Sequence, residues 1–176
     1  MSIGVLKELL LSSEWQEIQE LLDKTVDAKI LWVVTESGTS ILKFDENHHE
    51  LCQLIRDSDE GSKRCQNSQQ TRFREVKRTH QTIFSPCYCG LMNFAFPVMV
   101  DGKIISAIGG RLSRSEFPLT VERCAQISVA CGLDVKDVMT QAKGIKHISK
   151  SDQRNIMNHL SLFSGMLSFL IKRQRF

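Results

Sequence analysis

The stretch Leu51–Gly110 constrains this chain most. It holds Cys52, Cys65, Cys87 and Cys89, four of the six cysteines, and it closes on two apolar runs joined by Asp101-Gly102. An Asp-Gly pair between alternating apolar residues signals a two-residue type I′ turn. Phe94–Val100 and Lys103–Gly110 are therefore expected to form a sheet hairpin, with the cysteine-bearing segments folding back onto it. Phe94, Phe96, Val98 and Val100 alternate onto one face, and Asn93, Ala95, Pro97 and Met99 onto the other. Gly109-Gly110 removes side-chain bulk at the far end. That suits close approach of a ligand or another backbone, with Arg111 beside the gap.

The flanking segments supply the other elements. Residues 4–24 carry apolar residues three and four apart, the helical period, with a division at Ser12-Ser13 and a serine N-cap for the second half. Ile30–Thr35 is β-branched and aromatic, so a strand; it returns as Ile41–Phe44 after a turn at Glu36–Thr39. Asp45-Glu46-Asn47 offers a cap for a helix over His49–Asp57, in which His48, Cys52 and Ile55 share a face. Ser58–Gly61 reads as a break, followed by a helix from Ser62 to Thr79 that buries Cys65, Phe73 and Val76. Ile83–Pro86 is extended, and Cys87–Gly90 is a loop or a strand edge, because proline is excluded from a central ladder. Three helices follow: Leu119–Cys131 ending at Gly132, Asp134–Lys143 ending at Gly144, and a last one capped by Ser151. In that helix Ile156, Leu160, Phe163, Leu167 and Leu170 step by four and three, the seam of a two-stranded coiled coil or of packing on its own domain.

At 176 residues the chain suits one domain, 1–176, with an N-terminal helical segment (1–25) and a C-terminal helix (151–176) for dimerisation or signal output. The net charge is +3, from 23 Lys+Arg and 20 Asp+Glu, too small to mark a nucleic-acid binder. The N-terminal apolar run is broken by Glu8, too short and too charged for a signal peptide, and no apolar run approaches the ~20 residues that cross a bilayer. A cytoplasmic location is expected, with neither membrane nor nucleic acid as a direct partner. Cysteines in a reducing compartment do not form a disulfide framework, which leaves metal binding, redox chemistry or packing to explain them.

Four thiolates close a tetrahedral zinc site or hold an iron–sulfur cluster, and Cys52-x12-Cys65-x21-Cys87-x-Cys89 supplies four. The spacing matches no common zinc ribbon. Buried cysteine as a small hydrophobe and a redox-active thiol pair stand beside the metal reading. Cys124 and Cys131, seven apart on a later helix, read as core. His48 and His80 could partner a nucleophilic cysteine by sequence distance alone. No HExxH, GxSxG, P-loop or paired-carboxylate pattern is present, so the chain is not expected to be an enzyme. Trp32, Tyr88, Met92, Phe94, Phe96 and Met99 are the residue types that line apolar ligand pockets or simply fill a core. Asn93, Gly109 and Arg111 lie near them and favour the pocket.

From Leu51 to Arg111 the sequence resembles the PocR-type sensory domain family. Members carry a run like Cys-x-Leu-Ile-Arg, then Gly-x-x-Arg-Cys-x-x-Ser, then Cys-His-Ala-Gly-Leu, a Phe-Ala-x-Pro strand, a Val-x-Gly hairpin and Gly-Gly-Gln. This chain has Cys52-Gln53-Leu54-Ile55-Arg56, Gly61-Ser62-Lys63-Arg64-Cys65-Gln66-Asn67-Ser68, Cys87-Tyr88-Cys89-Gly90-Leu91, Phe94-Ala95-Phe96-Pro97, Val100-Asp101-Gly102 and Gly109-Gly110-Arg111. The resemblance implies an α+β, PAS-like fold: a mixed antiparallel sheet flanked by helices, with signalling helices at both ends. It also implies a small-molecule ligand such as a diol. The family usually stands before a DNA-binding or kinase output, so such a partner is expected outside this chain, along with a homodimer through the C-terminal helix. The departures are Tyr88-Cys89 in place of His-Ala, which adds a thiol, and Arg111 in place of glutamine, which favours a carboxylate or phosphate. The expected ligand residues are Trp32, Tyr88, Met92, Asn93, Phe94, Phe96, Gly109 and Arg111, between the sheet face and the two cysteine-bearing helices. The alternatives are a four-cysteine zinc or iron–sulfur redox sensor at Cys52, Cys65, Cys87 and Cys89, and a protein-interaction module with no ligand.

Overall fold

Asp101 and Gly102 take φ of 51° and 76°, the two left-handed residues that a type I′ turn needs. They join β4 (Leu91–Val100) to β5 (Lys103–Ser115), the long strands at the centre of the sheet. The structure, a computed structural model, describes residues 2–43 and 49–173. The expected cap at Asp45-Glu46-Asn47, together with Phe44, His48 and the terminal residues 174–176, lies outside the described residues. The strand order is β2-β1-β5-β4-β3. β1 (Ala28–Thr35) pairs antiparallel with β5, β2 (Ser40–Lys43) returns on β1, and β3 (Ile83–Pro86) edges β4. A two-residue β6 (Lys146–His147), not expected from the sequence, pairs in parallel with the end of β5 and makes the sheet mixed.

Each face of the sheet carries its own helices. On one lie α1 (Ser2–Leu10), α2 (Ser13–Val26) and α7 (Lys150–Arg173). They bury Leu6, Trp15, Leu160 and Leu167 against Phe94, Phe96, Val98 and Ile108. The Phe96 ring stands edge-on to Phe163 at 5.7 Å. Full burial of each large side chain here contributes about 1.5–3 kcal/mol. The opposite face receives α4 (Asp59–Thr79), whose Val76 packs on Leu31, Trp32, Ala95 and Ala107. A third cluster joins α3 (Glu50–Arg56), α5 (Val121–Cys131) and α6 (Val135–Ala142) around Leu51, Ile55, Cys89 and Leu91. This is the expected α+β, PAS-like arrangement. Among the described residues no helix is long and apolar enough to cross a membrane.

Three local expectations need correction. The break expected at Ser58–Gly61 is shorter and lies at Asp57-Ser58, with Asp59–Gly61 already helical. Ser58 Oγ accepts from Gly61 N at 3.0 Å and caps α4, which begins at Asp59. A Cβ on Gly61 would stand 2.1 Å from the Ile55 carbonyl, so this glycine lets α3 and α4 meet closely. The last helix is capped by Ser149, accepting from Asp152 N at 3.1 Å, and not by Ser151. Its expected heptad seam is also displaced. Ile156, Leu160, Ser164, Leu167 and Ile171 are buried, while Leu170 is exposed.

The serines explain that displacement. β3 reaches along β4 only to Ala95, opposite Ile83. Beyond it β4 is an edge, which is where proline is tolerated, and Pro97 sits there. Ser164 Oγ donates to the Pro97 carbonyl, and Met99 N donates to Ser168 Oγ at 2.9 Å. Helix α7 thus turns a serine stripe onto β4 and replaces the missing strand partners.

Candidate functional site

Gln66, Gln69, Gln70 and Phe73 fall at i, i+3, i+4 and i+7 of α4, one side of a helix. That side faces the β1–β2 hairpin across a cleft of about 310 Å³, whose other wall includes Trp32, Val34, Ser40 and Lys43. A smaller recess of about 70 Å³ shares Trp32, Lys43, Gln66 and Gln69 and runs inward to Leu31, Arg56, Ser62 and Cys65. Among the described residues lining the two there are cations and amides, and no carboxylate.

The glycine pair shapes this wall. A Cβ on Gly109 would stand 2.0 Å from Trp32 Cζ2, and one on Gly110 would stand 2.0 Å from the Lys29 carbonyl and 2.6 Å from Phe94 Cζ. The gap read from the sequence is taken by the indole on one residue, and by the neighbouring strand and Phe94 on the next. Gly109 is what lets the Trp32 ring press onto β5.

Beneath α4 lies a second, inward stripe in which Cys65, Ser68 and Arg72 precede the apolar Val76. Arg72 is 4 % exposed. Its Nη1 donates to Ser68 Oγ at 3.2 Å and its Nη2 to Asn93 Oδ1 at 3.5 Å, while Asn93 Nδ2 donates to the Leu91 carbonyl at 2.9 Å. Nε has no hydrogen-bond partner among the described residues. Burial lowers the guanidinium pKa, and the thiols of Cys87, Cys65 and Cys89 act against it. Arg111, opposite Asn93 in the sheet register, is equally buried and donates to Ser113 Oγ at 3.2 Å.

The β3–β4 connection is a four-residue loop, Cys87-Tyr88-Cys89-Gly90. Gly90 N donates to the Cys87 carbonyl at 2.9 Å, Cys87 N donates to the Leu91 carbonyl at 2.8 Å, and Gly90 takes φ 91°. A type I turn closed by a left-handed glycine gives this pattern. It sets the Cys87 and Cys89 sulfurs 3.0 Å apart. The hydrogen bond from Cys89, with help from backbone N–H groups and the Arg72 charge, brings Cys87 down to about 6, and the same contact pushes Cys89 up. Burial pushes Cys52 up to about 12 and raises Cys65. Tyr88 Oη lies 3.5 Å from the Gly61 carbonyl and 3.6 Å from Cys131 Sγ, and burial raises its phenol. Arg123 donates to the Tyr88 carbonyl and fastens the loop to α5.

The structure divides the residues singled out in the sequence. Trp32 and Cys65 line the cleft, with Gly109 beneath the indole. Asn93 and Arg111 lie on the same sheet face, under the helices. Met92, Phe94 and Phe96 face the other way, into the core shared with α1, α2 and α7. Tyr88 belongs to the α3–α5–α6 cluster, as do Cys124 and Cys131. Cys87 and Cys89 meet, but among the described residues no three His, Cys, Asp or Glu side chains are grouped to hold a metal ion. Sequence reasoning missed Lys43, Arg56, Arg72 and the three glutamines. The glutamine–phenylalanine spacing was the available signal.

The family described as the sensory domain found in PocR matches residues 8–171. No curated protein and no solved structure matches the chain.

Proposed function

The chain belongs to the family of sensory domains found in PocR, and on that premise we propose that it senses a small polar anion in the cleft between the β1–β2 hairpin and α4. The lining carries the reading: Lys43 and Arg56, the amides of Gln66, Gln69 and Gln70, and the indole of Trp32. A carboxylate or phosphate leaving water needs charged donors. The amides orient it, and the indole covers its carbon skeleton. The volume lies near the lower end for small-molecule pockets, about 300–1,000 Å³. Ligand held between α4 and the hairpin favours one pose of α4, a shift between two populations. Arg72 and Asn93 tie that pose to β4, and the α7 serines tie β4 to the terminal helix. In this reading the output partner, transcriptional or kinase, lies outside the chain.

Thermal unfolding tests the proposal with inorganic phosphate, a short hydroxycarboxylate and a neutral vicinal diol. An anion at tenfold its Kd adds about 1.4 kcal/mol, a rise of about 3–6 °C in Tm for a chain this size. Lys43→Gln with Arg56→Gln should abolish the rise. A response to the diol alone would keep the cleft and overturn the anion. No response to any small molecule would favour a protein-interaction module.

A further inference from the structure

The cysteine loop carries a geometry that the ligand cleft does not require. We propose that Cys87 and Cys89 form a dithiol that reacts with hydroperoxides and closes to an intramolecular disulfide. The two sulfurs are 3.0 Å apart, and a disulfide needs about 2.05 Å, so closure asks for roughly 1 Å of approach within one short loop. The turn hydrogen bonds and Gly90 hold the two residues on the same side of that loop.

The pair is asymmetric in access and in charge. Cys87 lines a surface cleft of about 430 Å³ with Pro86, Glu116, Pro118 and Arg123, which gives an oxidant its route. Cys89 is buried among Leu51, Ile55 and Leu91. The Arg72 guanidinium acts on both thiols, and more strongly on Cys87 than on Cys89. Cys87 is therefore the attacking sulfur and Cys89 the resolving one. In the first step the Cys87 thiolate attacks the terminal peroxide oxygen. A sulfur–oxygen bond forms, the oxygen–oxygen bond breaks, and the alkoxide or hydroxide leaves and takes a proton from water. This produces the sulfenic acid of Cys87. In the second step Cys89 attacks the Cys87 sulfur, the sulfur–oxygen bond breaks, and hydroxide leaves with the Cys89 proton as water. The two thiols lose two electrons and two protons, and the hydroperoxide becomes an alcohol and water. A dithiol reductant resets the pair by exchange. The inference does not depend on what occupies the cleft beneath α4.

The test is stoichiometric hydrogen peroxide on the whole chain, followed by alkylation under unfolding conditions and peptide mass spectrometry. The peptide holding residues 87 and 89 is expected unalkylated and about 2 Da lighter, and dithiothreitol should reverse the change. Cys52, Cys65, Cys124 and Cys131 should be alkylated in full. Cys89→Ser should stop at a sulfenic acid on Cys87 that dimedone traps. Cys87→Ser should leave Cys89 reduced. Should either variant fail to fold, the mass shift in the wild type decides. Oxidation of another cysteine ahead of this pair, or direct passage of Cys87 to the sulfinic acid, would overturn the proposal. So would zinc or an iron–sulfur chromophore retained by the purified protein with both thiols shielded.

Discussion

Two sulfurs 3.0 Å apart cannot both ionise near neutral pH, and their surroundings decide which does. Their mutual hydrogen bond lowers Cys87 and raises Cys89. Cys87 also receives backbone N–H groups and the Arg72 charge, which settle the thiolate there. The sign for stability follows. A thiol whose folded pKa falls from the ordinary 9.0 to about 6 adds stability in full above the unfolded value. That contribution declines as pH drops and is gone below about 6. Iodoacetamide labelling of Cys87 should rise through pH 6 and level off before pH 7.5, while an unperturbed thiol inflects near 9.0. In Cys89→Ala the inflection should move upward, because the largest cause is removed. A wild-type inflection already in the ordinary thiol range would refute the assignment. Gln66, Gln69 and Gln70 make the opposite point at this scale. They matter together, as a row facing Lys43, and no one of them is distinctive.

At the scale of elements, α7 shows how a strand edge is completed by a helix. Ser164→Ala strands the Pro97 carbonyl beneath α7, and a buried acceptor without a partner costs about 1–3 kcal/mol. The expected loss in Tm is about 2–4 °C per kcal/mol. Ser161→Ala, on the exposed side of the same helix, should stay within about 0.5 kcal/mol. Equal melting curves for the two variants would show that the serine is not completing β4. The elements differ in how far the sequence announces them. The β4–β5 hairpin and the ends of α2, α5 and α6 are local, set by Asp-Gly, by serine, threonine and aspartate caps and by Gly132, so they can be read directly. The alternation of Phe94 and Phe96 shows that they share a face. Which helices cover that face is a tertiary fact, and the expectation put the wrong ones there. The orientation of α4 was hidden for a related reason. Its buried stripe contains Arg72, which hydrophobic periodicity reads as solvent-facing. The cleft inherits that blind spot, because a polar helix side laid over a sheet looks like a surface until the sheet is in place.

Taken whole, the molecule has two unlike sides. α3 and α4 cover the cysteine loop and the cleft. On the other side, α7 spends Ile156, Leu160, Leu167 and Ile171 on its own core and still exposes Leu162, Met166 and Phe169, 65 %, 54 % and 58 % accessible. Leu21 of α2 is 64 % accessible beside them, and the two helices frame an apolar groove of about 210 Å³. The inner stripe of α7 is satisfied within the chain, so a dimer formed through α7 would use this outer one. A two-fold axis would set each outer stripe against its copy, the self-complementary contact typical of homodimers. The interface would then join the helix tied to β4 to the same helix of a second chain, so a change in α4 would reach both copies. Interfaces of ordinary size bind in the micromolar range or tighter, so sedimentation at about 100 µM should show the dimer. Leu162→Glu with Met166→Glu should yield a monomer of unchanged helical content, since neither side chain contributes to the buried core. A wild type that sediments as a monomer at that concentration, or a double variant that still pairs, would remove α7 as the dimer contact and leave its serine link to β4 as its role.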